Sequence, residues 1–337
     1  MSPSTNARLS VEDLHVRFDS DDGTVLAVNG VSFDVGEGEV LALVGESGCG
    51  KSMTAMALLG LLPPTATRSG SIRLAGRELT GLRQREMREL RGREISMIFQ
   101  EPMTSLNPVF TVGYQVAEVL RRHEGLSRRA AMERAVELLE LVRIPAPRQR
   151  VDEYPHQMSG GMRQRVMIAM AVACNPKVLL ADEPTTALDV TIQAQILDIV
   201  RDLREQLGTS VVMITHDLGV VADIADRVVV MYAGHVVETG VVDDVFARPQ
   251  HPYTIGLLGS VPRPDLAPTS ASDRLTEIPG IVPTLRQPPH ECVFAPRCPR
   301  ADDECRRDMP ALVETAPGQR AACVHPGPVP ERAEVAS

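Results

Sequence analysis

Two short stretches hold residue types suited to work on a phosphate chain. The first is Gly45, Glu46, Ser47, Gly48, Cys49, Gly50, Lys51 and Ser52, a G-x-x-x-x-G-K-[ST] pattern. Its glycines let the backbone fold around phosphates, its N–H groups bind them, Lys51 neutralises the terminal phosphates and the Ser52 hydroxyl reaches Mg2+. The second runs from Val178 to Glu183 (VLLADE), an apolar run closed by two acids. Asp182 there would hold Mg2+ through its water shell, and Glu183 would orient and activate an attacking water. Each stretch alone has an ordinary reading, as a Gly-rich turn or as a helix N-terminus, and the pair together is far more specific. Cys49 reads as a tolerated small residue inside the loop, whose alkylation should block nucleotide binding.

A third stretch, QMSGGMRQR from Gln157 to Arg165, opens a helix behind a serine and two glycines with no acid near its start. The unpaired N–H donors and the positive end of the helix dipole point the same way there, so an anion is expected at Ser159, Gly160 and Gly161. Yet the better phosphate site lies over a hundred residues earlier, which leaves this one without a phosphate of its own.

The elements that must position these residues read as an α/β core. Leu9 to Val35 alternates β-rich runs with turn signals, as antiparallel strands would. Glu39 to Val44 reads as a buried strand, and Ser52 to Leu62 as a helix stopped by Pro63 and Pro64. An amphipathic helix is expected over Arg128 to Val142. Lys177 to Ala181, Ser210 to Thr215 and Arg227 to Met231 have the continuous apolar character of parallel strands, with a helix from Gln193 to Leu207 closed by Gly208. Beyond about Gly259 prolines crowd the chain and four of its six cysteines follow, so a boundary is placed there: a unit over 8–259 and an extension over 260–337.

Composition narrows the class. The chain has 337 residues, 43% hydrophobic and 23% charged, the profile of a soluble globular protein. A net charge of -9 argues against nucleic acid as a partner. Neither an 18-residue apolar run nor a secretory leader is present, which predicts a cytosolic chain whose cysteines are first buried thiols or metal ligands.

MSGGMRQR (158–165), some twenty residues ahead of LLADEP, resembles the signature sequence of ATP-binding cassette (ABC) proteins. The resemblance covers roughly residues 8–250 and takes in five separated motifs in family order. It implies an ABC-type ATPase fold: a RecA-like parallel sheet, an N-terminal antiparallel β subdomain, a helical subdomain at about 100–170 and a small Cys-containing C-terminal extension. It also implies roles. Gln100 would sense Mg2+ and touch a transmembrane partner, Asp189 would cross a dimer interface, His216 would sit at the γ-phosphate and Phe18 would stack on adenine. Two such domains would face head to tail, with Ser159, Gly160 and Gly161 of one binding the ATP held by the other. The signature departs from the usual pattern at Met158 and Met162, neither of which supplies its hydroxyl or glycine N–H groups.

FQEPMTSLNP (99–108), HPYT (251–254) and the later PGIVP, CVFAPRCP and CVHP strings resemble the oligopeptide and dipeptide importer branch. That branch implies MgATP hydrolysis at the cytoplasmic face of the membrane, two transmembrane permease subunits, a second ABC ATPase subunit and an extracytoplasmic peptide-binding protein. An importer for another cargo such as nickel, or a soluble ABC ATPase outside transport, are the alternatives. Cys292, Cys298, Cys305 and Cys323 are separated by five, six and seventeen residues. No C-x2-C knuckle occurs, which weakens zinc, and irregular spacing with Pro299 after Cys298 suits a [4Fe-4S] cluster. Four buried thiols are the plainer alternative.

Overall fold

The computed structural model describes residues 7–20, 23–100, 105–186, 189–260 and 278–327. Strands β1 (Leu9–Ser20) and β2 (Gly23–Val35) form an antiparallel hairpin, which β4 (Ala66–Leu74) and β5 (Arg77–Glu78) extend in the order β2-β1-β4-β5. Val11, Leu14, Val16, Val31, Phe33 and Val35 bury one face of it.

The central sheet has eight strands in the order β11-β12-β10-β9-β3-β8-β7-β6. Its parallel heart consists of β6 (Ile95–Ile98), β7 (Val178–Asp182), β8 (Ser210–Thr215), β3 (Val40–Val44) and β9 (Arg227–Tyr232). Every residue of β3, β7 and β8 is buried. Sheets covered on both faces demand such unbroken apolar runs, which is why these strands are legible as uniform rather than alternating. β10 (His235–Val241) turns back antiparallel on β9, and the terminal hairpin β11 (Val313–Ala316) and β12 (Gln319–Ala321) adds to it through Glu238 opposite Ala321.

Three apolar clusters fill the layers. The antiparallel sheet packs on the central sheet around helix α1 (Lys51–Leu58), with α2 (Gln84–Leu90) at its edge. Helices α3 (Val112–Glu124), α4 (Arg128–Leu141), α5 (Pro147–Arg150) and α6 (Gly160–Val172) form a helical layer that shares a core with α7 (Val190–Leu207). Their ends obey local rules: Thr111, Ser127, Ser159 and Asp189 cap α3, α4, α6 and α7, while Gly125 and Gly208 end α3 and α7 in the left-handed region. A third cluster lies under α8 (Leu218–Ile224), α9 (Val242–Ala247), α10 (Pro252–Gly259) and the segment 292–305. Because β3 is central and flanked by parallel neighbours, the loops leaving β3, β7 and β8 converge at one edge, where open α/β sheets bind ligands.

Candidate nucleotide site

The loop after β3 is shaped by backbone crowding. Gly45 has φ 149°, and a Cβ there would stand 2.2 Å from the Met231 carbonyl oxygen; at Gly50, φ 98°, it would stand 2.4 Å from that of Ala27. Gly50 caps α1 without any side-chain hydrogen bond, leaving the first N–H groups of the helix to another acceptor. Lys51 is buried, and its Nζ donates to the carbonyls of Gly45 (2.6 Å) and Glu46 (3.0 Å). Cys49 is also buried, 3.7 Å from Lys51 Nζ, and burial pushes its thiol pKa up. An alkylating reagent therefore meets a shielded, protonated sulfur, so Cys49 is a poor chemical handle on the loop.

The two strand ends bring the remaining groups to this loop. Ser52 Oγ donates to Asp182 Oδ1 at 3.1 Å. Burial raises the pKa of Asp182, against the lowering influence of that hydrogen bond. Glu183 sits at φ 46°, a left-handed conformation costly for a residue with a Cβ. Its carboxylate collects three neighbours: Gln100 Nε2 donates to Oε2 at 2.9 Å, Thr186 Oγ1 to the same oxygen at 2.9 Å, and His216 Nδ1 lies 3.2 Å from Oε1. Gly45, Glu46, Ser47, Gln100, Glu183 and His216 line one open cleft of about 600 Å3. A cradle of backbone amides, a buried lysine and two carboxylates suits a phosphate chain with its divalent cation.

Phe18, Ser159, Gly160, Gly161 and Asp189 do not line that cleft. Phe18 is half-buried near the end of β1, opposite Val25 and Ala66, and packs on the cluster beneath the antiparallel sheet. Ser159 Oγ accepts from the Met162 amide at 3.3 Å as the cap of α6. A Cβ on Gly160 would meet nothing within 4 Å, whereas one on Gly161 would stand 2.8 Å from Ile192 Cγ2 at the start of α7. Asp189 Oδ1 accepts from the Ile192 amide at 2.9 Å. Ala187 and Leu188, which precede it, lie outside the described residues, as do residues 101–104 of the FQEPMTSLNP string.

The four C-terminal cysteines line one small cavity together with His251, Arg300 and His325. Burial raises all four thiol pKa values, Cys323 to about 11. Arg300 Nε and Nη2 are buried without a hydrogen-bond partner among the described residues. The Arg300 amide donates to Cys298 Sγ at 3.4 Å. Among the described residues, one group of three metal-ligating side chains has all its ligand atoms within 4.8 Å of one another: Asp302, Cys305 and His325.

Sequence reasoning missed the second wall of the phosphate loop. Tyr253 Oη accepts from the Glu46 amide at 2.8 Å, and Arg297 forms an ion pair with the Glu46 carboxylate at 2.7 Å. Arg297 is 251 positions from Glu46 in the chain, and no local spacing rule reaches that far.

Comparison with known proteins assigns the family. Residues 28–186 match the ABC transporter family and residues 237–305 match the oligopeptide/dipeptide transporter C-terminal region. The probable peptide ABC transporter ATP-binding protein y4tR of Sinorhizobium fredii is 54% identical over 324 residues, 96% of each chain. The dipeptide transport ATP-binding protein DppD of Bacillus subtilis is 55% identical over 304 residues, 90% of each chain. Among solved structures, a dimeric ATP-binding cassette in a post-hydrolysis state, bound to ADP and Pi, superimposes with a TM-score of 0.63 at 29% identity, covering 69% of this chain and 98% of that one. No described helix is long and apolar enough to cross a membrane. With its phosphate loop, its paired acids and relatives matched nearly end to end, the chain belongs to the ABC transporter family of ATP-binding proteins, in the group that carries the oligopeptide/dipeptide transporter C-terminal region.

Proposed function

We propose that this protein binds and hydrolyses MgATP to power import of di- and oligopeptides through a separate pair of membrane permeases. The observation that carries the reading is the convergence of Gln100, Glu183 and His216 with the Gly45–Ser47 turn on one cleft, backed by Lys51 on the carbonyls of that turn and by the Ser52–Asp182 hydrogen bond, in a chain whose relatives are named as peptide-transport ATP-binding proteins. The loop from Gly45 to Ser52 cradles the phosphates, with Lys51 turning from its own carbonyls to the terminal phosphates. Ser52, Gln100 and Asp182 hold Mg2+. Glu183 accepts the proton of the attacking water, and His216 supports the departing γ-phosphoryl group. Phe18 stacks on adenine.

Ser159, Gly160, Gly161 and Asp189 act across a dimer, on the nucleotide held by a second ATPase subunit. The open space in front of Gly160, at the N-terminus of α6 beside the Ser159 cap, supports this. Residues 8–259 form the cassette and 260–337 an extension, whose described part at 278–327 packs on the cassette. The protein works at the cytoplasmic face of the membrane with two permease subunits and an extracytoplasmic peptide-binding protein.

We further propose that Cys292, Cys298, Cys305 and Cys323 hold a [4Fe-4S] cluster. The donor set fits: four thiols line one space, and Arg300, two of whose buried guanidinium nitrogens have no hydrogen-bond partner among the described residues, lines the same space, where four thiolates would bring negative charge. Loading must part the thiols, since the cavity they enclose is only about 10 Å3. A single zinc ion would draw its ligand sulfurs to within roughly 4 Å of one another. Among the described residues no three of these cysteines have their sulfurs all within 4.8 Å of one another. Bound there, the cluster would supply a structural or redox-sensing centre.

The test is a pull-down of the Glu183→Gln protein from gently solubilised native membranes in MgATP, with the captured chains identified by mass spectrometry. Two multi-spanning permeases with a solute-binding protein are expected. Capture of soluble or DNA-associated proteins alone would refute the transport reading. Iron and labile sulfide in the protein purified without oxygen, with Cys298→Ser losing both, are expected for the cluster; protein free of iron refutes it.

A further inference from the structure

The phosphate loop is gripped from outside by a residue of the cysteine-bearing segment. Glu46 is the second residue of the loop. Its carboxylate receives both terminal nitrogens of Arg297, Nη1 to Oε2 at 2.7 Å and Nη2 to Oε1 at 3.0 Å, a paired fork geometry that fixes direction as well as charge. Arg297 is only 8% exposed. Its Nε donates to the Pro279 carbonyl at 2.7 Å, Nη2 also to those of Ile278 (3.1 Å) and Gly280 (3.3 Å), and Nη1 also to Tyr232 Oη at 3.4 Å. All five guanidinium N–H groups are therefore engaged, and the side chain has one position. The hydrogen bonds that Arg297 donates to Glu46 are the leading reason that the arginine's pKa lies above its ordinary value.

A second contact fixes the backbone of the same residue. The Glu46 amide donates to Tyr253 Oη, and Tyr253 packs against Tyr232 and Phe294 with ring centroids 4.8 and 5.4 Å away. Phe294 and Arg297 both lie between Cys292 and Cys298, Arg297 in the short 3-10 turn Ala295–Arg297. The loop that carries two of the four cysteines thus also carries the arginine that holds the phosphate loop.

We propose that Arg297 and Tyr253 are positioning residues for ATP binding: they brace Glu46 and cancel its charge, so that the phosphate loop keeps the shape and potential a triphosphate requires. This rests on the reading of the cleft as an ATP site. Without Arg297 the Glu46 carboxylate stands uncompensated one residue beyond Gly45 and repels the phosphates. The brace also ties nucleotide affinity to the folded state of the cysteine segment, two parts of the chain some 250 residues apart.

The test is a titration of mant-ATP fluorescence in Mg2+ with the full chain, for wild type, Arg297→Ala, Arg297→Ala/Glu46→Gln and Arg297→Lys, with Lys51→Ala as the blank. Arg297→Ala is expected to raise Kd about tenfold, the size of one lost charge compensation at a partly screened site. The double variant, relieved of the stranded carboxylate, is expected to return to within about threefold of wild type, with Arg297→Lys between them. A merely structural arginine predicts no rescue by Glu46→Gln. Wild-type Kd in a normally melting Arg297→Ala protein, or a double variant no better than the single, overturns the proposal. Should Arg297→Ala fail to fold, wild-type affinity in Arg297→Lys does the same. Equal binding by wild type and Lys51→Ala would instead overturn the ATP reading itself.

Discussion

Replacing Glu183 by glutamine separates binding from chemistry, because the amide can keep every contact the carboxylate makes. Gln100 Nε2 and Thr186 Oγ1 both donate to the same oxygen, Oε2, each at 2.9 Å. A glutamine that puts its carbonyl oxygen there accepts both. Its NH2 group then faces His216 Nδ1, which lies 3.2 Å from Oε1, and the neutral imidazole accepts from it in the Nε2–H tautomer. The left-handed backbone at position 183 is no harder for glutamine than for glutamate. Folding and mant-ATP affinity are thus expected to stay within about threefold of wild type. What disappears is the proton acceptor for water. A positioned general base contributes typically 10²–10⁴-fold, so phosphate release should fall by about that factor, or roughly 3 to 5 kcal/mol in the barrier. Steady-state phosphate release measures the loss, and light scattering during size exclusion in MgATP should show dimer accumulating, since hydrolysis no longer opens it. Wild-type turnover in the variant would refute the role of Glu183. A collapse of ATP affinity would refute the argument that the amide preserves the three contacts.

Gly45→Ala should abolish mant-ATP binding, because its Cβ would stand 2.2 Å from the Met231 carbonyl oxygen at a φ of 149°; wild-type Kd would show that the loop yields where the geometry denies it room. Gly160→Val is expected to melt within about 1 kcal/mol of wild type, as nothing lies within 4 Å of its Cβ, yet to lose ATP-dependent dimerisation and turnover; undiminished turnover would count against a partner nucleotide at that helix start. His235 supplies a pH dependence. Burial, with His15 adding, lowers its pKa to about 4, and its Nε2 has no partner among the described residues, while Asp13, Arg17 and Arg68 share its cleft. Below pH 6.5 the unfolded chain takes a proton that the native one refuses, so stability is lost as pH falls from about 6.5 towards 4, by roughly 2 kcal/mol at pH 5. The difference between urea midpoints at pH 7.5 and 5 should shrink in His235→Gln, the remainder including buried His251, whose pKa burial lowers to about 3, and an unchanged pH slope would reject it.

Much of the core was legible because its signals are local. The parallel strands β3, β7 and β8 are buried along their whole length and largely apolar since both faces are covered; β7 ends at Asp182, and β3 and β8 end one residue ahead of Gly45 and His216. The loop from Gly45 to Ser52 announces itself through spacing and Ser159 through the helix start it precedes, whereas Asp189 is picked out only by the family resemblance, and its cap on the Ile192 amide starts α7 at Val190, ahead of the Gln193 expected from the sequence. What stayed hidden depends on contacts distant in sequence. Nothing in QRA at 319–321 marks a strand partner for β10 in the eight-stranded sheet, because that pairing is fastened by Glu238 of β10, buried and accepting from Gln319 Nε2 at 2.7 Å. The shielding of Cys49 is equally non-local: it arises from the packing of the antiparallel sheet over α1.

The same non-local packing explains why a phosphate loop of common sequence would behave differently here from one that stands alone. Such loops owe anion affinity to amides held in a strained, glycine-rich path, and the strain must be opposed by surrounding structure. Met231 and Ala27 crowd Gly45 and Gly50 from the inner side, allowing no side chain. On the outer side Tyr253 and Arg297 hold Glu46 by its amide and its carboxylate. The first pair belongs to strands of the cassette and the second to elements that follow its last parallel strand. Removing residues 260–337 would therefore leave the glycines, their inner walls and the Tyr253 contact to the Glu46 amide intact while freeing the Glu46 carboxylate from Arg297, and the loop would keep its sequence and its inner frame but carry a stranded negative charge.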